Sequence, residues 1–223
     1  MSNLPVTVVI PAFNAESFLA DAIDSALTQT CPPEEIIVVN DGSDDSTGRI
    51  AGEYGRIVTV LHQDHTGVSA ARNRGLRQAE QEFLAFLDAD DIMVPNRLET
   101  QWNTLAEKPE TDLLFGQEHR FKGAAPVLPL DSEARSIPAQ IPGTIFCRRS
   151  VFDEYGLFDE RVDADDFIGW FVKAVDSGLS WDIVKETLIL RRFHDQNFSR
   201  QMVDGDAYTH LVKAMLDRRR ERE

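Results

Sequence analysis

The sequence predicts an α/β fold in which a mainly parallel central sheet is flanked by helices. Short runs rich in Val and Ile alternate with stretches of helical spacing through the first 90 residues. The runs are mostly apolar or β-branched, as strands buried on both faces are. Several of them end in a polar turn, and in such sheets ligands bind beyond the carboxyl ends of the strands.

Val6 to Ile10, closed by Pro11, reads as the first strand. From Ser17 to Gln29, Phe18, Leu19, Ala22, Ile23, Ala26 and Leu27 recur at helical spacing. Ile36 to Val39 is a second strand ended by the turn Asn40-Asp41-Gly42-Ser43. Ser46 to Tyr54 reads as a helix with Gly55 after it, Ile57 to Leu61 as a strand, Gly67 to Ala79 as a helix and Phe83 to Leu87 as a fourth strand. The second half is less regular. It offers a helix from Asn96 to Leu105, a strand from Leu113 to Gln117, and a loop or flap over 122–142, which holds Pro126, Pro129, Pro138 and Pro142. A strand over Gly143 to Arg148, helices over Ser150–Tyr155 and Phe167–Ser177, and strands over Trp181–Val184 and Thr187–Phe193 follow. A helix from Ala207 to Arg222 closes the chain, and its Arg218-Arg219-Arg220 suits a negative helix C-terminus. At 223 residues this is one domain.

Charge narrows the function. Lys and Arg number 23 against 38 Asp and Glu, a net charge of −15. Nucleic acid and an anionic membrane surface both need a basic face, so neither is expected as a partner. Asp41, Asp44 and Asp45, then Asp88, Asp90 and Asp91, then Asp163, Asp165 and Asp166 form three short clusters that together exceed half of the net charge. Cys31 and Cys147 lack metal-binding spacing, and free thiols in a reducing cytoplasm are expected. No apolar run reaches the roughly 18 residues of a membrane span, and the N-terminus does not read as a secretion signal, so a cytoplasmic protein is expected.

Asp88-Ala89-Asp90 follows an apolar strand, and two such carboxylates can reach a hard cation that combines them with ligand phosphates; the alternative is an acidic turn. Asp41 ends another strand and can accept a hydrogen bond from a ribose hydroxyl or a base N–H, or the turn can serve to let Asp44 or Ser46 cap the next helix. In Gly67 to Gly75, small residues permit close approach of a helix N-terminus, and Arg72 can reach a base or phosphate or belong to a solvated basic face.

Together these segments resemble the family 2 glycosyltransferases of GT-A fold. The resemblance rests on Val8-Val9-Ile10-Pro11-Ala12-Phe13-Asn14, on Val39-Asn40-Asp41-Gly42-Ser43-Asp44-Asp45-Ser46-Thr47, on Ala71-Arg72-Asn73-Arg74-Gly75 and on Phe86-Leu87-Asp88-Ala89-Asp90-Asp91. It implies a Rossmann-like sheet with a nucleotide-sugar-binding half over 1–100, an acceptor-side half over 101–206 and a C-terminal helix over 207–223. It also implies an inverting enzyme using a nucleotide-sugar donor, UDP- or dTDP-linked, a divalent metal, Mn²⁺ or Mg²⁺, and a hydroxyl-bearing acceptor such as a surface polysaccharide or glycoconjugate.

By that resemblance Asp41 binds the pyrimidine, helped by Pro11, Ala12, Phe13, Asn14, Glu16 and Arg72. Asp90 holds the metal, and Asp88 lies near the ribose or the same metal. Asp163-Ala164-Asp165-Asp166-Phe167 occupies the place of the family's acidic motif, so Asp166 is the expected base and Asp165 its reserve; either can instead cap the helix that follows. Many relatives carry another acidic residue where this chain has Gly169. Leu190 to Ser199 is similar to an arginine-histidine segment of some members, in which His194 completes the metal site and Arg191 or Arg192 neutralises phosphate. Trp170, Phe171 and Trp181 serve as core or as a stacking face for sugar. The rival readings are a non-catalytic nucleotide-sugar-binding or partner-recruiting module, and a nucleotidyltransferase, whose Gly-rich triphosphate loop is replaced here by Pro11-Ala12-Phe13-Asn14. A homodimer is left open.

Overall fold

Four apolar runs lie side by side in parallel. In the computed structural model, which describes residues 3–130, 135–161 and 167–194, β1 (Leu4–Ala12) pairs with β2 (Pro33–Asp41), with Val8 opposite Ile36 and Ile10 opposite Val38. β3 (Thr59–Gln63) lies outside β2, and β4 (Phe83–Phe86) pairs with the other side of β1. The connections are helical: α1 (Leu19–Leu27), α2 (Thr47–Glu53) and α3 (Val68–Gln78).

The second half extends this sheet in mixed directions. Its elements are β5 (Ile92–Met93), α4 (Arg97–Glu107), β6 (Leu113–Phe121), β7 (Ser136–Ala139), β8 (Phe146–Arg148), α5 (Ser150–Tyr155), α6 (Phe167–Asp176) and β9 (Trp181–Arg192). The sheet order is β3-β2-β1-β4-β8-β6-β9-β5, with β7 alongside β6. β8 is antiparallel to β4 and β6, whereas β9 runs parallel to β6.

Successive residues of β1 serve opposite faces of the sheet. Val8 and Ile10 pack with Leu19, Ile23, Ile36, Val38 and Leu98 in one core. Val9 packs with Ile37, Val39, Leu76, Phe86 and Phe115 in the other. This is why the strand is apolar at every position but Thr7, whose hydroxyl donates to Glu35; each buried large apolar side chain stabilises the fold by about 1.5–3 kcal/mol. Helix α3 comes very close to β1: a Cβ built at Gly75 would lie 2.3 Å from Val9 Cγ1. Trp170, Phe171 and Trp181 belong to the second core, and Trp170 stacks on Phe152 and donates its Nε1–H to the Gly156 carbonyl.

The structure corrects several expected boundaries in the second half. The 122–142 loop contains β7, which pairs with β6 through Gly116 to His119. The strand tolerates Pro138 because, among the described residues, β7 has only β6 as a ladder partner. The strand expected from Gly143 begins at Phe146, after a 3₁₀ turn over Pro142–Thr144. The two strands expected between Trp181 and Phe193 are one, with register irregularities near Gln117 of its partner. The two-residue β5 is too short for periodicity to register. The expected helix over 207–222 lies outside the described residues.

Candidate active site

The loops after β1 and β2 are laced together. Asn14, at φ 46°, donates its N–H to Ser43 Oγ at 3.0 Å and accepts the Asp44 N–H at 3.1 Å. The Ala15 N–H reaches Thr47 Oγ1, and Glu16 accepts the Ser46 N–H at 3.0 Å. Ser46 stands at the N-cap of α2 without a side-chain capping bond, and Asp45 Oδ1 accepts the Thr47 N–H at 2.8 Å. Asn14 and Glu16 therefore fix the shape of the rim, and Phe13 stands on it half-exposed.

Asp41 ends β2 with a buried carboxylate. Its oxygens accept the Thr66 N–H at 3.0 Å, the Gly67 N–H at 2.9 Å and the Gln63 Nε2–H at 2.6 Å. These donors come from the end of β3 and the turn that follows it, so one side chain orders the junction in which α3 begins. Gly42 makes the tight approach possible, with φ +71° and room for no Cβ, which would lie 2.5 Å from the His65 nitrogen.

The second acidic cluster lies beyond β4. Arg72, buried on α3, donates from Nη2 to Asp88 Oδ1 at 3.0 Å, so the helix does not present it on a solvated basic face; Arg74 and Arg77 are the exposed ones. His194 Nε2 lies 3.0 Å from Asp90 Oδ2. Burial first, then the neighbouring Asp88 carboxylate, raises the Asp90 pKa above the usual carboxylate range. The same two causes, burial and then Asp90 with Asp88, raise fully buried Asp91 further, although its Oδ1 accepts the Arg192 N–H at 2.9 Å.

Cations ring this cluster. Arg191 donates to Glu118 Oε2 at 3.2 Å, and the charges of Glu118, Asp91 and Asp88 outweigh burial to keep its guanidinium protonated. Arg192 points inward, bonding Asp21 Oδ2 at 2.7 Å, the Gly123 carbonyl at 3.0 Å and the Asp90 carbonyl at 3.2 Å. Of the two expected phosphate cations, Arg192 thus ties β9 to α1 and to the acidic turn. Fully buried Arg97 donates to the Phe86 and Ile145 carbonyls and to Gln101, and burial pulls its pKa down to about 9 against Asp88 and Asp91.

The residues around Asp90 fit a divalent cation. A partly buried carboxylate raised by desolvation and a like-charged neighbour, with an imidazole nitrogen at 3.0 Å, is relieved by positive charge, and carboxylate and imidazole are donors such ions take. Among the described residues no three acidic, His or Cys groups are gathered as a metal cage.

The structure thus brings together Pro11 to Asn14, Glu16 and Asp41 at one corner, and Arg72, Asp88, Asp90, Arg191 and His194 at the other. Asp165 and Asp166 lie outside the described residues. Three residues escaped the sequence reading. His65 and Gln63 sit at the end of β3, the strand whose polar end had not been counted with the others. Asn73, fully buried, donates from Nδ2 to the Phe158 carbonyl at 2.9 Å and to Glu160 at 2.8 Å, while its Oδ1 accepts the Phe158 N–H at 3.1 Å. It anchors the segment that leads to the third acidic cluster.

The glycosyl transferase family 2 model matches residues 7–156. An uncharacterised glycosyltransferase of Rickettsia felis is 31% identical over 215 residues, covering 88% of this chain and 35% of the relative. One from Rickettsia typhi is 32% identical over 206 residues, covering 85% and 64% respectively. The chain therefore spans between about a third and two thirds of the length of these relatives. Among solved structures, S. aureus TarS superposes with a TM-score of 0.70 at 20% identity, over 89% of this chain and 38% of TarS. A TarS 1–349 complex with UDP-GlcNAc gives 0.69 at 21% identity, over 87% and 60%. The fold shared with these structures is GT-A.

Proposed function

This chain belongs to glycosyl transferase family 2, and on that footing we propose that it is an inverting, metal-dependent transferase moving a sugar from a UDP- or dTDP-linked donor to an acceptor hydroxyl. The observation that carries the reading is the meeting of three strand ends around Asp41, Asp88 and Asp90, with Arg72 and Arg191 beside them. The UDP-GlcNAc complex of TarS supports the donor class.

In this reading Asp41 accepts an N–H from the pyrimidine, over the rim formed by Pro11, Ala12, Phe13 and Asn14. Glu16 holds that rim, and Arg72 with Asp88 borders the ribose. Asp90 and His194 would hold Mn²⁺ or Mg²⁺, which supplies Lewis-acid stabilisation of the leaving diphosphate. Arg191 adds fixed positive charge nearby. The acceptor oxygen bonds to the anomeric carbon as the bond from that carbon to the diphosphate oxygen breaks. The electron pair leaves with the nucleoside diphosphate, and the acceptor proton passes to the Asp166 carboxylate, with Asp165 as the reserve base. A single displacement inverts the anomeric centre. The acceptor belongs to surface polysaccharide or glycoconjugate synthesis, and the work is cytoplasmic or at the inner face of a membrane. No helix among the described residues is long and apolar enough to cross one.

A screen of nucleotide sugars for donor hydrolysis with Mn²⁺ and with Mg²⁺ tests this. Metal-dependent release of one nucleoside diphosphate, abolished in Asp166→Asn, is the expected result. Metal-dependent UDP binding without turnover on any donor would sink the enzymatic reading in favour of a binding module.

A further inference from the structure

His65 holds a position that a ligand would take. Its Nδ1 faces two oxygen acceptors, Asp41 Oδ2 at 2.9 Å and the Asp41 carbonyl at 3.1 Å, so that nitrogen carries a proton and donates it. Its ring lies on Phe13 with centroids 3.9 Å apart and planes 20° from parallel. Phe13 is 47% exposed and the His65 side chain 55%, whereas the Asp41 side chain is 3% exposed. The imidazole therefore covers Asp41 from the open side of the sheet end.

The donors on Asp41 differ in how easily they leave. Thr66 and Gly67 donate backbone N–H groups, which cannot withdraw without undoing the start of α3. His65 can swing into water by side-chain rotation alone. A planar ring that presents an N–H to Asp41 and one face to an aromatic side chain makes the contacts expected of a pyrimidine with an imide N–H.

We propose that His65 is an internal stand-in for the nucleobase: it occupies the Asp41–Phe13 corner when the donor site is empty, is displaced when the base enters, and so weakens donor binding. The inference rests on the reading of Asp41 as the base-binding residue.

Calorimetry of UDP with Mn²⁺ on the full chain, comparing wild type, His65→Ala and Asp41→Asn, tests it. Removing a charge-assisted hydrogen bond and an aromatic contact that compete with the base is expected to tighten UDP binding in His65→Ala by roughly five- to tenfold. In the wild type, the His65 ring-proton resonances, displaced by the Phe13 ring, should move to solvent-exposed positions as UDP saturates the protein. If wild type binds UDP, Asp41→Asn loses it, and His65→Ala binds equally or more weakly, the stand-in is overturned and the donor-site reading stands. Unmoved His65 resonances at saturating UDP overturn it likewise. Absence of binding by wild type and His65→Ala, with UDP and with dTDP, overturns the donor-site reading and this inference together.

Discussion

Asp41 and Asp90 both stand at the carboxyl ends of parallel strands, each with an imidazole nitrogen beside it, at 2.9 Å and 3.0 Å, yet their other neighbours differ. Asp41 is met by N–H donors of its own chain and organises a turn. Asp90 is crowded by a like charge and by burial, and its side-chain partner is an imidazole that can itself bind metal. A buried carboxylate surrounded by backbone donors holds the structure together, whereas one pressed against other carboxylates costs stability until a cation arrives. On the proposed function, Asp41 both organises a turn and meets the base, whereas Asp90 would meet a cation.

Removing each carboxylate should separate them. The largest effect is expected on turnover: Asp90→Ala should lower the rate of donor hydrolysis by about 10²–10³-fold or more while leaving the melting temperature unchanged or raised. Asp41→Ala should instead lower stability by about 3 kcal/mol in urea unfolding, because the Thr66 and Gly67 N–H groups lose their acceptor. If the two variants lose equal stability, the contrast collapses.

Asn73→Ala sharpens the same contrast from outside the acidic clusters. It orphans both backbone groups of Phe158 and should cost about 2–3 kcal/mol by denaturant unfolding. Gly75→Ala should cost about 1–3 kcal/mol by forcing α3 away from Val9, with a matching loss of the Arg72–Asp88 contact.

The smallest expected effect concerns acid. Hydrogen bonds from Asn73 and then Arg77 outweigh burial and hold the Glu160 pKa below its ordinary value. A depressed folded-state pKa contributes stability that is present above the unfolded value and lost as pH falls through the folded one. Glu160→Gln should therefore flatten the acid limb of the stability profile below about pH 4.5, by no more than a few tenths of a kcal/mol, since this carboxylate is exposed.

The parallel half was legible because burial on both faces leaves short, nearly continuous apolar runs, and because turn residues mark several strand ends. Asp41, Asp88 and Asp90 are named by their place at strand ends in that pattern, and Arg72 by the small-residue segment that opens α3. The second half was harder, because its strands are partly set by their neighbours. β7 carries a proline, and β9 continues through Lys185 and Glu186, which read as a break. Asn73 and Arg97 could be named from sequence, but their burial against carbonyl groups from distant segments could not. His65 lacked any local signature; only the spatial neighbourhood of Phe13 and Asp41 gives it meaning.

Arg72 and Asn73 are consecutive on α3, yet one reaches Asp88 and the other Phe158. A helix turns 100° and rises 1.5 Å per residue, so a single helical step sets the spacing between the two contacts. Inserting or deleting one residue between Gly67 and Arg72 would swing both side chains away from their partners at once. The first turn of α3 is therefore a stretch in which the chain cannot change length without losing both contacts.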